Sequence, residues 1–584
     1  MAPSSIIQLN DVSFAYAGEK DALALDHISL GIAPGEFVGV LGPSGAGKST
    51  LAAVLSGAIP HHFHGSFFGA ALVDGQDTCD VTLTDVSRVV GSVSQDIDAQ
   101  MVASVVEDEL LFGLENFGVP HNEIEARLAA ALDAVGIPEL REREIATLSG
   151  GQKQKVAIAA MLALRPRVLV LDEPTAALDP ASTKMVFDTL RNLNAREGIT
   201  VVVIEQKVAT LSEYCDRILV LNEGRLAFDG TPREVFSHGA KLRELGVDSP
   251  RVARVSNSLV QHGVIGPCEP CLTVSETKSL VAGLVGTHPN AVAEKSRATA
   301  GAPRPRAAQS SPVVSFRSVG FTYRSTGAAV RDLTFDVFPG EIVGVVGQNG
   351  AGKTTLTKLL NGLLRPESGE VRVAGLDTRE TPTSRLAAHV STLFQNPDRQ
   401  ICKDTVLDEV AFGLELTGVD PREARRRAGS VIERFGLPAG EAPFSLSRGQ
   451  RQMVALTSVV VMEPEVILLD EPTSGLDYRE CMTVMETVRE MAARGCAVVM
   501  VCHDMEVVSD FAERVIVMAR GEIVGRGSTS EVFSDAEVIR RANVEPPQIV
   551  ALSSALAADV SPAFAGITQV SEIVDLVEEM VRRD

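Results

Sequence analysis

Two runs of this 584-residue sequence place glycines, a lysine and a hydroxyl in the order G-x-x-x-x-G-K-[ST]. The first is Gly42, Pro43, Ser44, Gly45, Ala46, Gly47, Lys48, Ser49 and Thr50; the second is Gly347, Gln348, Asn349, Gly350, Ala351, Gly352, Lys353, Thr354 and Thr355. Glycines at this spacing let backbone amides curl inward around phosphate oxygens, and a helix beginning at the lysine adds its positive end. Lys48 and Lys353 would bridge the β- and γ-phosphates of a nucleotide, while Ser49 and Thr354 would hold Mg²⁺. Asp172 and Asp470 each end an apolar run, where a carboxylate can reach Mg²⁺ through its water shell. Glu173 and Glu471 follow directly and could polarise an attacking water. Two acids after a strand can simply cap a loop. These, however, recur at the same distance after a Leu-Ser-x-Gly-Gln element in both copies, which points to nucleotide binding and hydrolysis.

The elements that must position these residues are themselves duplicated. The lysine loop recurs after 305 residues, Leu148-Ser149-Gly150-Gly151-Gln152 recurs after 298 as Leu446-Ser447-Arg448-Gly449-Gln450, and Leu171-Asp-Glu-Pro-Thr175 also after 298. Residues 36–41 and 341–346 read as short strands feeding the glycine loops, and 48–55 and 353–360 as helices leaving them. Continuous apolar runs at 168–171 and 466–469 predict central strands of a parallel sheet covered on both faces. The stretches near 100–165 and 400–463 carry helical periodicity, with Leu128, Ala131, Leu132 and Val135 on one face. The expected class is α/β: two tandem P-loop domains, each a parallel-sheet core with a helical subdomain and a helical C-terminal extension. The domains are placed at 1–240 and 313–534, their extensions at 241–285 and 535–584, and a Pro- and Ala-rich flexible linker at 286–312.

A phosphate-binding loop, then Leu-Ser-Gly-Gly-Gln, then strand-Asp-Glu-Pro-Thr, resembles the ATP-binding cassette (ABC) ATPases over nearly the whole chain, twice. The resemblance implies two cassettes facing head to tail with two ATP molecules and Mg²⁺ between them. Tyr16 and Tyr323 would then stack on adenine. Gln95 and Gln395 would be Q-loop glutamines near Mg²⁺ and the attacking water, and Asp179 and Asp477 the D-loop acids. His503 resembles the switch histidine that contacts the γ-phosphate; Gln206 stands at the matching place and cannot carry its positive charge. Arg448 replaces the first signature glycine of the second copy, where its side chain could crowd the phosphate or attract it. Under head-to-tail pairing both departures fall in one site, built from Lys48, Asp172, Glu173 and Gln206 against Ser447, Arg448 and Gly449. The other site, built from Lys353, Asp470, Glu471 and His503 against Ser149, Gly150 and Gly151, is complete and is expected to do most of the hydrolysis.

After each Q-loop glutamine, Gln95-Asp-Ile-Asp98-Ala-Gln100 matches Gln395-Asn-Pro-Asp398-Arg-Gln400, and Glu109–Glu115 matches Glu409–Glu415. These segments resemble the ATPase of energy-coupling factor (ECF) transporters, which import vitamins or transition-metal ions into prokaryotic cells. The implied partners are a transmembrane coupling protein and a small substrate-binding membrane protein, with the ATPase peripheral to the cytoplasmic face of the membrane. An ABC ATPase serving another permease and a soluble tandem ABC protein acting on ribosomes are the alternatives. A net charge of −22 and the short linker disfavour a nucleic-acid partner. No run approaches about 18 apolar residues, and no secretory leader is read at Met1. Cys268 and Cys271 read as incidental thiols rather than half of a zinc site. The His61-His62-Phe63-His64 run reads as a loop variant more readily than as a metal site.

Overall fold

The computed structural model describes residues 5–18, 22–175, 178–286, 311–323, 327 and 329–582. Most of the proposed linker, 287–310, therefore lies outside the described residues. The chain divides into two units, Met1–Thr273 and Val274–Asp584.

In the first unit a six-stranded sheet runs in the order Arg225–Gly230, Arg217–Asn222, Phe37–Leu41, Thr200–Ile204, Val168–Asp172 and Val90–Val93. Its pairs are parallel except for the first two strands, which form a hairpin. The uninterrupted apolar run Val168–Leu171 follows from burial on both faces. Leu169 and Leu171 join a core with Leu110, Leu128, Ile158 and Phe187, whereas Val168 and Val170 join another with Leu51, Val54 and Phe14. That second core is roofed by an antiparallel sheet in the order Leu25–Ile32, Ile7–Tyr16, Gly65–Val73 and Gln76–Asp77. The helix Lys48–Leu55 is sandwiched there with six buried residues.

The helical subdomain consists chiefly of Val106–Asn116, His121–Ala134 and Gly150–Ala163. Leu128, Ala131, Leu132 and Val135 are buried, as their spacing predicts. The second unit repeats both sheets, with Ile342–Val346, Val466–Asp470 and Ala497–Val501 in the central parallel region.

One boundary differs from expectation. Helix Val274–Gly286, assigned above to the first extension, falls in the second unit and packs on Gln548–Asp559. Its stripe of Thr277, Val281 and Val285 is buried, and Lys278 pairs with Asp559 at 2.6 Å.

Candidate functional site

Each phosphate loop begins where a central strand ends. Gly42 (φ 154°) and Gly47 (φ 96°) turn the chain into the helix Lys48–Leu55. Neither could carry a side chain: a Cβ at Gly42 would lie 2.5 Å from the Leu221 carbonyl oxygen, and one at Gly47 2.4 Å from that of Ala24. Lys48 Nζ donates to the Gly42 and Pro43 carbonyls at 2.8 Å. Lys353 Nζ does the same to Gly347 and Gln348, at 2.6 and 3.1 Å.

Glu173 and Glu471 sit at the ends of Val168–Asp172 and Val466–Asp470 with left-handed backbones, φ 48° and 53°. That conformation is unfavourable for a side-chain-bearing residue. In each it is held by a hydrogen bond from the glutamate amide to the neighbouring strand, at Ile204 (2.9 Å) or Val501 (2.8 Å).

The two glutamates are dressed differently. In the first unit Gln95 Nε2 donates to Glu173 Oε2 at 2.9 Å and Gln206 Nε2 donates to Oε1 at 2.8 Å, so both carboxylate oxygens are engaged. In the second, His503 Nε2 meets Glu471 Oε1 at 2.8 Å, while Gln395 stands exposed. His503 Nδ1 is buried with no hydrogen-bond partner among the described residues.

The sequence reading missed Glu205 and Lys207. Glu205 is buried, accepts from Thr175 Oγ1 and the Gln206 amide, and adds its charge to those of Asp172 and Glu173. Lys207 Nζ reaches the Thr175 carbonyl and Thr183 Oγ1, both at 3.2 Å. The second copy has Cys502 and Asp504 at these places. Comparing Glu205-Gln206-Lys207 with Cys502-His503-Asp504 as triplets was the available signal.

Burial, then Glu205 and Asp172, raises the Glu173 pKa. Burial also raises that of Asp172, opposed by the Ser49 hydroxyl and Lys48. Asp470 is likewise raised by burial and then by Glu471, against Lys353 and His503. At the first loop the Ser49 hydroxyl meets the Asp172 carboxylate, with Gln95 bonded to the adjacent Glu173, and Thr354 and Asp470 stand at the corresponding places of the second. Such hard oxygen ligands suit Mg²⁺.

The Leu-Ser-x-Gly-Gln elements are helix starts. Ser149 Oγ accepts from the Gln152 amide and Gln152 Oε1 from the Ser149 amide, a capping box that opens Gly150–Ala163; Ser447 and Gln450 repeat it for Arg448–Val460. Gly151 and Gly449 are buried within these first turns. Arg448 lays its guanidinium over Gly475, whose added Cβ would lie 3.0 Å from Arg448 Cζ. Asp179 and Asp477 cap the helices Pro180–Glu197 and Tyr478–Ala493. Tyr16 bonds Thr50 Oγ1 at 3.1 Å and packs edge-on to Phe14; Tyr323 packs edge-on to Phe321.

The post-glutamine elements prove to be braces. Glu109 Oε2 accepts from the Val102 and Ala103 amides, and Glu409 Oε2 from those of Cys402 and Lys403. Asp98 pairs with Lys153 at 2.5 Å and Asp398 with Arg451 at 2.7 Å, tying each Q-loop to the residue just after its capping box. In the histidine run, His61 Nε2 meets the Thr78 carbonyl at 2.8 Å. No group of three potential metal-ligating His, Cys, Asp or Glu side chains occurs among the described residues.

The sequence profile of the ABC transporter family matches residues 25–176 and 330–474, covering both phosphate loops and both strand-Asp-Glu segments. The chain belongs to this family. As an ABC protein it is an ATPase that uses ATP and Mg²⁺. A Methanosarcina acetivorans protein provisionally described as an ABC transporter ATP-binding protein is 38% identical over 576 residues, spanning 98% of this chain and 93% of the relative. A Bacillus subtilis protein, provisionally described as the HMP/thiamine import ATP-binding protein YkoD, is 32% identical across 93% of this chain and 95% of its own. The solved structure of cbiO1 from Clostridium perfringens, part of the ABC transporter complex cbiONQ, is 32% identical, with a TM-score of 0.37, covering 44% of this chain and 99% of that one. No described helix of the ABC ATPase is long and apolar enough to cross a membrane.

Proposed function

We propose that this ABC ATPase powers import of a micronutrient, a vitamin or a transition-metal ion, through separate membrane subunits of the ECF kind. It would sit at the cytoplasmic face of a prokaryotic membrane, held by a transmembrane coupling protein beside a small substrate-binding membrane protein. The observation that carries this reading is apolar surface left in water beside both braced Q-loop segments. Val102 is 65% and Phe112 50% exposed in the first unit, and Leu416 is 71% exposed in the second. Large apolar side chains left in water on braced segments suit a protein partner. The import description of the Bacillus subtilis relative agrees in direction.

The cassette chemistry is read from this chain's own groups. The loop amides of Gly42–Thr50 and Gly347–Thr355, with Lys48 and Lys353, hold the triphosphate. Tyr16 and Tyr323 carry the base. Ser49, Asp172 and Gln95, or Thr354, Asp470 and Gln395, would hold Mg²⁺, which neutralises developing phosphate charge when bound. Glu471 takes the proton of the attacking water, and His503 orients that carboxylate and faces the γ-phosphate. Glu173 is the counterpart at the first site, with Gln206 in the histidine's place. The signature residues Ser149, Gly150, Gly151 and Gln152, and Ser447, Arg448, Gly449 and Gln450, together with Asp179 and Asp477, complete the phosphate contacts. The main hydrolytic centre is the one around Lys353, Glu471 and His503.

The test is charge placement on the exposed patches. Phe112→Asp with Leu416→Asp should release the chain from native membranes while phosphate release by the purified chain persists. Undiminished membrane association would remove the docking role of these segments.

A further inference from the structure

The two cassettes differ beside the residue that would carry the base. From Gly57 to Gly69 the first copy runs twelve residues, whereas Gly362 to Gly369 is seven. The endpoints are equivalent. Gly69 and Gly369 both have positive φ, and an added Cβ at either would strike the carbonyls of Asn10 and Asp11 or of Arg317 and Ser318. The five additional residues lengthen the antiparallel pairing of two strands. Strand Gly65–Val73 pairs with Ile7–Tyr16 as far as Tyr16 itself, opposite Gly65. In the second copy the corresponding pairing stops at Gly320, opposite Ser368, short of Tyr323.

The extension sets Phe63 beside Tyr16, with ring centroids 6.2 Å apart and planes at 86°. Its surroundings are pinned. The Phe63 amide donates to Ala58 O at 3.1 Å and the Ala17 amide to His64 O at 3.0 Å, and the His62 ring packs edge-on to Phe63 at 4.9 Å. Phe63 nonetheless stays 40% exposed. A large apolar ring held at a fixed angle to Tyr16 with part of its surface in water is suited to a planar heteroaromatic ligand. A base laid on Tyr16 would lie at the same right angle to Phe63 and meet it edge against face, a favoured aromatic geometry.

We infer that Phe63 is a second aromatic contact for the nucleobase at the first site, making that site tighter and more base-dependent than the second. This rests on the reading of Tyr16 as the base platform. An aromatic pair of this kind is worth a factor of about two to about ten in affinity.

The test is calorimetric titration of the full chain carrying Lys353→Ala, so that the first site dominates, with ATP and with inorganic tripolyphosphate, which has no base. Phe63→Ala should weaken ATP by that factor and leave tripolyphosphate unchanged, with Phe63→Tyr restoring ATP affinity. If Tyr16→Ala weakens ATP but Phe63→Ala does not, Phe63 is no base contact and the Tyr16 reading stands. If neither substitution affects ATP, both fall. Equal loss of ATP and tripolyphosphate in Phe63→Ala would also overturn the inference.

Discussion

Glu173→Gln and Glu471→Gln are isosteric changes at equivalent positions, yet the two carboxylates are held so differently that their effects should diverge. Both oxygens of Glu173 accept hydrogen bonds, from Gln95 at 2.9 Å and Gln206 at 2.8 Å. These donors stabilise the charged carboxylate, so taking a proton from water weakens the bonds they make. A hydrogen bond to a charged group is worth about 1.5–3 kcal/mol, which corresponds to a roughly ten- to hundredfold slower step. Among the described residues the Glu471 carboxylate is met by the His503 imidazole alone, at 2.8 Å. The first site should therefore contribute no more than about a tenth of turnover. Phosphate release by the purified full chain with Mg²⁺ and ATP should keep at least about nine-tenths of its rate in Glu173→Gln and fall to about a tenth or less in Glu471→Gln. Equal losses would refute the inequality of the two sites.

Two further outcomes follow from the same geometry. Asp172, Glu173 and Asp470 have pKa values raised by burial, so the folded state binds their protons more tightly than the unfolded one, and the stability they contribute is lost as pH rises above the ordinary carboxylate range. Glu205→Gln should accordingly raise the melting temperature at pH 8 and lose that advantage toward pH 4, where Glu173 is protonated; a gain that persists at pH 4 would contradict the electrostatic cause. Asp398→Asn breaks a partly exposed ion pair with Arg451, so it should change stability by no more than about 1 kcal/mol in denaturant unfolding. It should still reduce the stimulation of ATPase by a membrane partner, and full stimulation would mean the Q-loop brace does not carry that coupling.

What was legible in the sequence was local. The glycine loops and the run Val168–Leu171 each encode their element within a few residues, because backbone sterics and two-faced burial act at short range. What was missed depends on residues brought together from afar. Glu205 lies 30 residues beyond Thr175, and only strand pairing puts them in contact. Phe63 reads as part of a solvated loop because nothing nearby in sequence shows that a longer strand pairing ends at Tyr16. Helix Val274–Gly286 follows the first cassette in the chain, yet its buried stripe is completed in the second unit. The segments Gln95–Gln100 and Glu109–Glu115, legible only as a resemblance, also brace the fold through long-range contacts. Gln100 and Glu109 hold backbone amides, and the surface left for a partner is apolar.

The coupling of this ATPase to membrane import is tested most directly by purifying the tagged chain from its native membranes in mild detergent and identifying its companions by mass spectrometry. The account predicts a multispanning coupling subunit together with a small substrate-binding membrane protein, whose identity would narrow the cargo. Recovery with ribosomal proteins, or without any membrane protein, would contradict it.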